Sequence, residues 1–253
     1  AIVLVIIGLL IGGVLRGQEL INSARVNSIT SQQQSIQTAY YAFIDRYKFL
    51  PGDLTAAQAI SISNVTAPAN TSANGSVELV DSAAFFNNLT SAGFLSCSPC
   101  TAVAAGGAIT AAPGGGVAAT YGAPAALNSS NTMVNVYGSP LVFLQDTANG
   151  AGAAVAGAII FNSNPVEAAK PMVTTGGTLS SAMLAEIDRK VDDGNPAGGQ
   201  FRQTDLQGTA GIAAGAPAVA TFATAANSNL CWVAVTGWRT NPVSSSCQGA
   251  SIF

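Results

Sequence analysis

The sequence predicts an α+β fold: a long N-terminal α-helix, apolar in its first third and amphipathic afterwards, packed against an antiparallel β-sheet head with long Ala/Gly/Ser-rich loops. Three observations carry this expectation. Residues 1–50 lack proline and pass from a wholly apolar run into a segment with helical spacing. Beyond position 130, short apolar runs recur between turn signals, as strands of an antiparallel sheet do. The connecting stretches are rich in Ala, Gly, Ser, Thr and Asn, and only 8% of the chain is charged.

The rod comes first. Ala1, Ile2, Val3, Leu4, Val5, Ile6, Ile7, Gly8, Leu9, Leu10, Ile11, Gly12, Gly13, Val14 and Leu15 carry no charge and no polar side chain, and the first ion is Arg16. As a helix this run covers ~22 Å, so spanning a ~30 Å hydrocarbon core calls for a few more apolar residues upstream. A signal peptide would next show a small-residue cleavage site and lose its helical pattern. Here the pattern continues: Val26, Ile29, Gln33, Ile36, Tyr40, Phe43, Tyr47 and Leu50 follow one another at steps of three and four, and only Gln33 breaks the apolar seam. The rod is therefore apolar all round over 1–15 and one-sided over 16–50, ~75 Å in all. It stops at Leu50-Pro51-Gly52-Asp53, where proline restricts the residue before it and Pro-Gly marks a turn. Arg16 and Glu19 are spaced to meet at i to i+3; with Arg25 they read either as a solvated cluster at a membrane edge or as groups that pair between copies in a filament. Tyr40, Tyr41, Phe43, Tyr47 and Phe49 read as packing under the head.

Residues 51–253 form the head. The stretch 55–80 reads as a long surface connection and 81–95 as a short helix with Ala84, Phe85, Leu89 and Ala92 on one side. Residues 96–130 are a Gly/Ala/Pro-rich insertion broken at Pro113. Strands are expected at 133–137, 141–144, 156–161 and 230–235, and a helix at 180–191 with Met183, Leu184 and Ile187 on one face.

Four cysteines, Cys97, Cys100, Cys231 and Cys247, suit an exported protein with structural disulfides. Three pairings are possible and the sequential one is the simplest. A Cys231–Cys247 bond closes a loop worth ~3 kcal/mol by chain entropy. The Cys97-Ser-Pro-Cys100 spacing also suits a redox site, yet no convincing helix follows to lower a thiol pKa. Without histidine, a zinc site is weaker still.

No catalytic constellation emerges, and the chain reads as not an enzyme. It has no histidine to serve as the base for a Ser or Cys nucleophile and no phosphate loop. Gly150-Ala-Gly152 begins like a dinucleotide fingerprint but reads better as a turn. A net charge of −3 with nine Lys and Arg argues against nucleic acid as a main partner. Asn64, Asn70, Asn74, Asn88 and Asn128 stand in Asn-x-Ser/Thr triplets, which chance explains in this composition. Asp188, Asp192, Asp193 and Asn195 run off a helix into a glycine-containing turn. They are candidate calcium ligands or, more simply, side chains that bond the turn backbone.

The segment 1–12, Phe49-Leu-Pro-Gly-Asp53, Ala84-Phe-Phe-Asn-Asn-Leu89 with Ala92-Gly-Phe-Leu95, and Ile187-Asp-Arg-Lys-Val-Asp-Asp-Gly-Asn-Pro196 resemble the type IV pilin and type II secretion pseudopilin family. The likeness is good over 1–53, patchy to 95 and thin until 187–203, and it enters the family's N-terminal segment about six residues late. It implies a subunit held in the inner membrane and then polymerised, by pilus or secretion assembly machinery, into an extracellular homo-oligomeric filament with residues 1–15 in its core. It also implies a C-terminal disulfide loop, a calcium site in a late loop, no other cofactor, and loosening of the helix between Gly8 and Gly17 in the assembled form. Close helix contact through those small residues is the simpler account of the glycines. A pseudopilin or minor pilin is the alternative within the family. A membrane-anchored adhesion or ligand-binding protein is the alternative from another class.

Overall fold

The computed structural model describes residues 2–62, 75, 77, 81–97, 100, 132–146, 150–151, 161–162, 170–177, 179–196, 198–203, 231–233, 237–244 and 247–253. It is an α+β chain with one long N-terminal helix and a small antiparallel sheet.

The long helix α1 is Ile2–Tyr47. Its seam is the one the spacing predicts, since Val26, Ile29, Gln33, Ile36, Tyr40 and Phe43 are all buried. The helix ends before Leu50, because Lys48 turns left-handed (φ 60°) while its N–H still bonds the Ile44 carbonyl at 2.8 Å. A second helix, α2 (Ala56–Ser61), occupies part of the stretch expected to be a plain connection. The signal was present in the sequence: Thr55 caps the helix and Gln58 answers from the third position, a reciprocal capping box. Helix α3 (Ser82–Ser91) is shorter than the 81–95 predicted. It ends where Gly93 adopts φ +81° and the N–H groups of Phe94 and Leu95 both return to the Leu89 carbonyl.

The main sheet comprises β1 (Phe143–Asp146), β4 (Lys170–Thr174), β8 (Gly249–Ile252) and β5 (Phe201–Gln203), in the order β1-β4-β8-β5 and antiparallel throughout. Between β1 and β4 in the chain, β2 (Gly150–Ala151) pairs in parallel with β3 (Phe161–Asn162). Helix α4 (Ser181–Val191) precedes β5, and β6 (Trp232–Val233) forms a small antiparallel pair with β7 (Gly237–Trp238).

Several strand expectations shift. Residues 133–137 form a turn rather than a strand. Asn135 Oδ1 accepts from the N–H groups of Tyr137 and Ser139, leaving a single bridge between Val134 and Pro140. The 141–144 strand slides two residues on, and Gly150 with Ala151, read as a turn, lies in β2. Within 230–235, Trp232 and Val233 are strand. β4, β5 and β8 escaped prediction: Lys-Pro-Met-Val-Thr carries a proline and Gly-Ala-Ser-Ile is small and mixed, so neither shows an apolar alternation. Ala1, most of 96–130, residues 156–160 and the triplets at Asn64, Asn70, Asn74 and Asn128 lie outside the described residues.

Two buried clusters clamp α1. The upper joins Ile36, Tyr40 and Phe43 to Leu54, Phe85, Phe86, Leu141, Phe143 and Val173. Phe85 and Phe143 stack there at 3.6 Å between centroids. The lower joins Val26 and Ile29 to Leu179, Leu184, Ile187, Phe201 and Trp238. Both clusters lie at or beyond Val26 on the helix. The interrupting Gln33 sits between them and donates from Nε2 to the Thr174 carbonyl at 3.0 Å.

Candidate functional site

Two features stand out: the free part of α1 and an acidic turn at the end of α4. The first follows directly from the sequence. A helix with branched apolar side chains on every face cannot be covered by a head that packs against one side. Ile2, Val3, Leu4, Val5, Ile6, Ile7, Leu9, Leu10, Ile11, Val14 and Leu15 are all exposed, from 47% at Ile7 to 77% at Ile2. Leu20 and Ile21 extend the apolar surface past the first charge. By length and composition α1 is able to cross a membrane. Covering these side chains is worth on the order of 10 to 20 kcal/mol at ~25 cal/mol per Å². A patch of that size marks a surface made to meet lipid or protein.

The charges that follow the apolar run do not form one cluster. Arg16 pairs with Glu19 at 3.7 Å on the exposed rod. Arg25 leans on the head instead, its guanidinium 5.0 Å from the centre of the Tyr137 ring and its Nη1 donating to the Tyr137 hydroxyl at 3.3 Å. Sequence reading missed that contact because it spans more than a hundred positions. The aromatic residues of the upper rod do pack under the head: Tyr40 and Phe43 are buried, Tyr47 is partly so, and Tyr41 is half exposed. Burial, helped by neighbouring Tyr41, pushes the Tyr40 hydroxyl up to about 12.

The acidic turn gathers Asp188, Asp192 and Asp193, each with one carboxylate oxygen within 4.8 Å of the others. Helix α4 places them: Ser180 caps its N-terminus by accepting from the Met183 N–H, and Asp188 lies on its buried face. Asp188 Oδ2 accepts from the Trp238 indole at 2.6 Å, and Oδ1 from the Gly194 N–H at 3.3 Å. Asp192 Oδ2 accepts from the N–H groups of Gln200 and Phe201. Asp193 Oδ1 accepts from the Asn195 N–H at 2.8 Å. These bonds tie the end of α4 to β5 and to β7, so the carboxylates hold the turn backbone together. Burial is the main cause that raises Asp188 to about 6, and Asp193 and Asp192 add repulsion. Three oxygen donors and a strained negative charge are chemistry that a hard divalent cation fits, with Asp192 and Asp193 nearest solvent.

The cysteines pair sequentially, Cys97 with Cys100 and Cys231 with Cys247, and none is free. Cys231 and Cys247 both lie in the lower cluster, beside Trp238. Asn88, in one of the Asn-x-Ser/Thr triplets, is buried and accepts from the Gly52 N–H at 2.8 Å, so its amide serves the turn after the rod and is closed to a sugar.

Compared with known proteins, the chain matches no family model, no curated protein and no solved structure.

Proposed function

We propose that this chain is a structural subunit of an extracellular, type IV pilus-like filament that polymerises through its apolar N-terminal helix. One observation carries the reading: a rod clamped by the head only from Val26 onward, with its apolar portion before that left bare. Before assembly the bare portion rests in the inner membrane. Transfer from lipid to the company of identical rods then keeps it out of water at both stages. Delivery from membrane to filament falls to pilus or secretion assembly machinery, and a pseudopilin or minor subunit would use the same surface. The contact is between different patches on successive copies, so it extends as an open helix. The head forms the outer wall, with the Cys231–Cys247 bond resisting unfolding outside the cell. Where calcium binds, Asp188, Asp192, Asp193 and Asn195 hold it, and its charge reinforces the turn that joins α4 to β5 and β7.

The length of α1 also favours a second reading, a membrane-anchored adhesion or ligand-binding protein that never polymerises. Electron microscopy of material sheared from cells that export the full chain separates the two. Regular fibres labelled by antibody to the head are expected. Dispersed particles that remain membrane-bound would favour the anchor and sink the filament.

A further inference from the structure

Two exposed ion pairs, one on α1 and one at its C-terminal end, mirror one another. Arg16 with Glu19 and Asp45 with Lys48 each have a spacing of three residues, and all four side chains are between 72% and 88% exposed. The order of sign is reversed: plus then minus in the lower pair, minus then plus in the upper. Counterparts stand 29 positions apart, 16 to 45 and 19 to 48. For Arg16 and Asp45, both on α1, that is about eight turns at ~3.6 residues per turn with a remainder of ~20°, so these two share one stripe of the rod, and Lys48, one residue past its end, pairs with Asp45 there.

Resting on the filament reading above, we propose that neighbouring copies of this chain pack their rods in parallel with a stagger of 29 residues. Arg16 and Glu19 of one copy then meet Asp45 and Lys48 of the next. The axial shift is ~43 Å. Every cross-pair at this register joins opposite charges. Rods pointing opposite ways, with the same two sites superposed, would set Arg16 on Lys48 and Glu19 on Asp45, which repel. The pattern thus favours one direction and one register, the use to which interfacial charge is best suited.

Two further features agree with the same stagger. Residues 26–44 carry no Asp, Glu, Lys or Arg, and the exposed side of α1 there presents Ser31, Gln34, Ser35, Thr38 and Tyr41. Shifted by 29, position 44 falls on Leu15, the last residue of the apolar run. The neighbour's bare segment therefore lies along a face with no ion to strip of water. The head clamps α1 from Val26, and a neighbour's Val26 would stand level with position 55, beyond the end of α1 at Tyr47. Each rod uses its upper pair toward one neighbour and its lower pair toward another, so the contact propagates without closing.

The test uses the full chain in cells that assemble fibres. Arg16→Glu alone and Asp45→Arg alone are each expected to lower the sheared fibre yield about tenfold through like-charge contact, and the double variant to restore it. Because all four native cysteines are in disulfides, a chain carrying Arg16→Cys and Asp45→Cys offers the only new thiols. Oxidised fibres of that variant should run as a ladder of covalent multimers, and fibres of either single-cysteine variant should not. Fibres that form normally but give no ladder, or charge reversals that do not compensate, overturn the stagger and leave the filament standing. Failure of the native chain to form fibres overturns both.

Discussion

Asp188 is the residue where packing and charge conflict most directly. Its carboxylate is buried against Trp238 and faces two other acids, and its folded-state value near 6 lies above the ordinary 3.8. The folded chain therefore binds this proton more tightly than the unfolded chain does. The sign of the linkage follows: this group stabilises the fold as pH falls from about 6 toward 4, and that contribution is lost as pH rises through 6. Thermal unfolding in chelator should give a higher Tm near pH 4.5 than near pH 7.5 from this residue, and Asp188→Asn should flatten that slope. Calcium added at pH 7.5 should raise the Tm of the native chain and not of the variant; equal shifts in both would remove the carboxylate turn as a cation site. Gly249 is the second such residue. A Cβ there would lie 2.4 Å from Phe201 Cζ, across the β5–β8 ladder. Gly249→Ala should cost about 1 to 3 kcal/mol in denaturant unfolding, with Phe201 forced from its place beneath Trp238.

At the level of elements, α1 is continuous from Ile2 to Tyr47 even though Gly8, Gly12, Gly13 and Gly17 weaken it by ~1 kcal/mol each against Ala. Among the described residues, nothing lies within 4 Å of a side-chain carbon placed at any of the four. The isolated chain therefore gives no packing reason for them. If the chain assembles as proposed, amides between positions 8 and 17 are expected to exchange hydrogen faster in fibres than those of 26–43. Full protection across the glycines in fibres would leave close contact as their only role. Replacing all four with Ala should leave the head's Tm unchanged and make fibres stiffer under load. Among the described residues the lower half of α1 has no packing from either cluster, whereas the upper half is held by both clusters and by the Gln33 bond to Thr174.

For the molecule as a whole, the bare rod contributes no side chain to either buried cluster of the head. Deleting residues 2–21 removes side chains that touch neither cluster, so the shortened chain should be soluble, monomeric and within about 2 °C of the native Tm, as expected of substitutions away from packed features. A head that unfolds without the rod would show that those residues support it.

The sequence alone determined the helix, its change from all-round apolar to one-sided, the seam from Val26 to Phe43, α4, and the acidic residues of the late turn, because each depends on spacing within a few residues. Tertiary structure decided the rest. β4, β5 and β8 become strands through partners far away in the chain, Arg25 finds Tyr137 across more than a hundred positions, and Asp188 receives the Trp238 indole from β7. A periodic pattern records which face a segment hides. It does not record what covers that face, because the covering groups are chosen by the geometry of the folded chain rather than by their order along it.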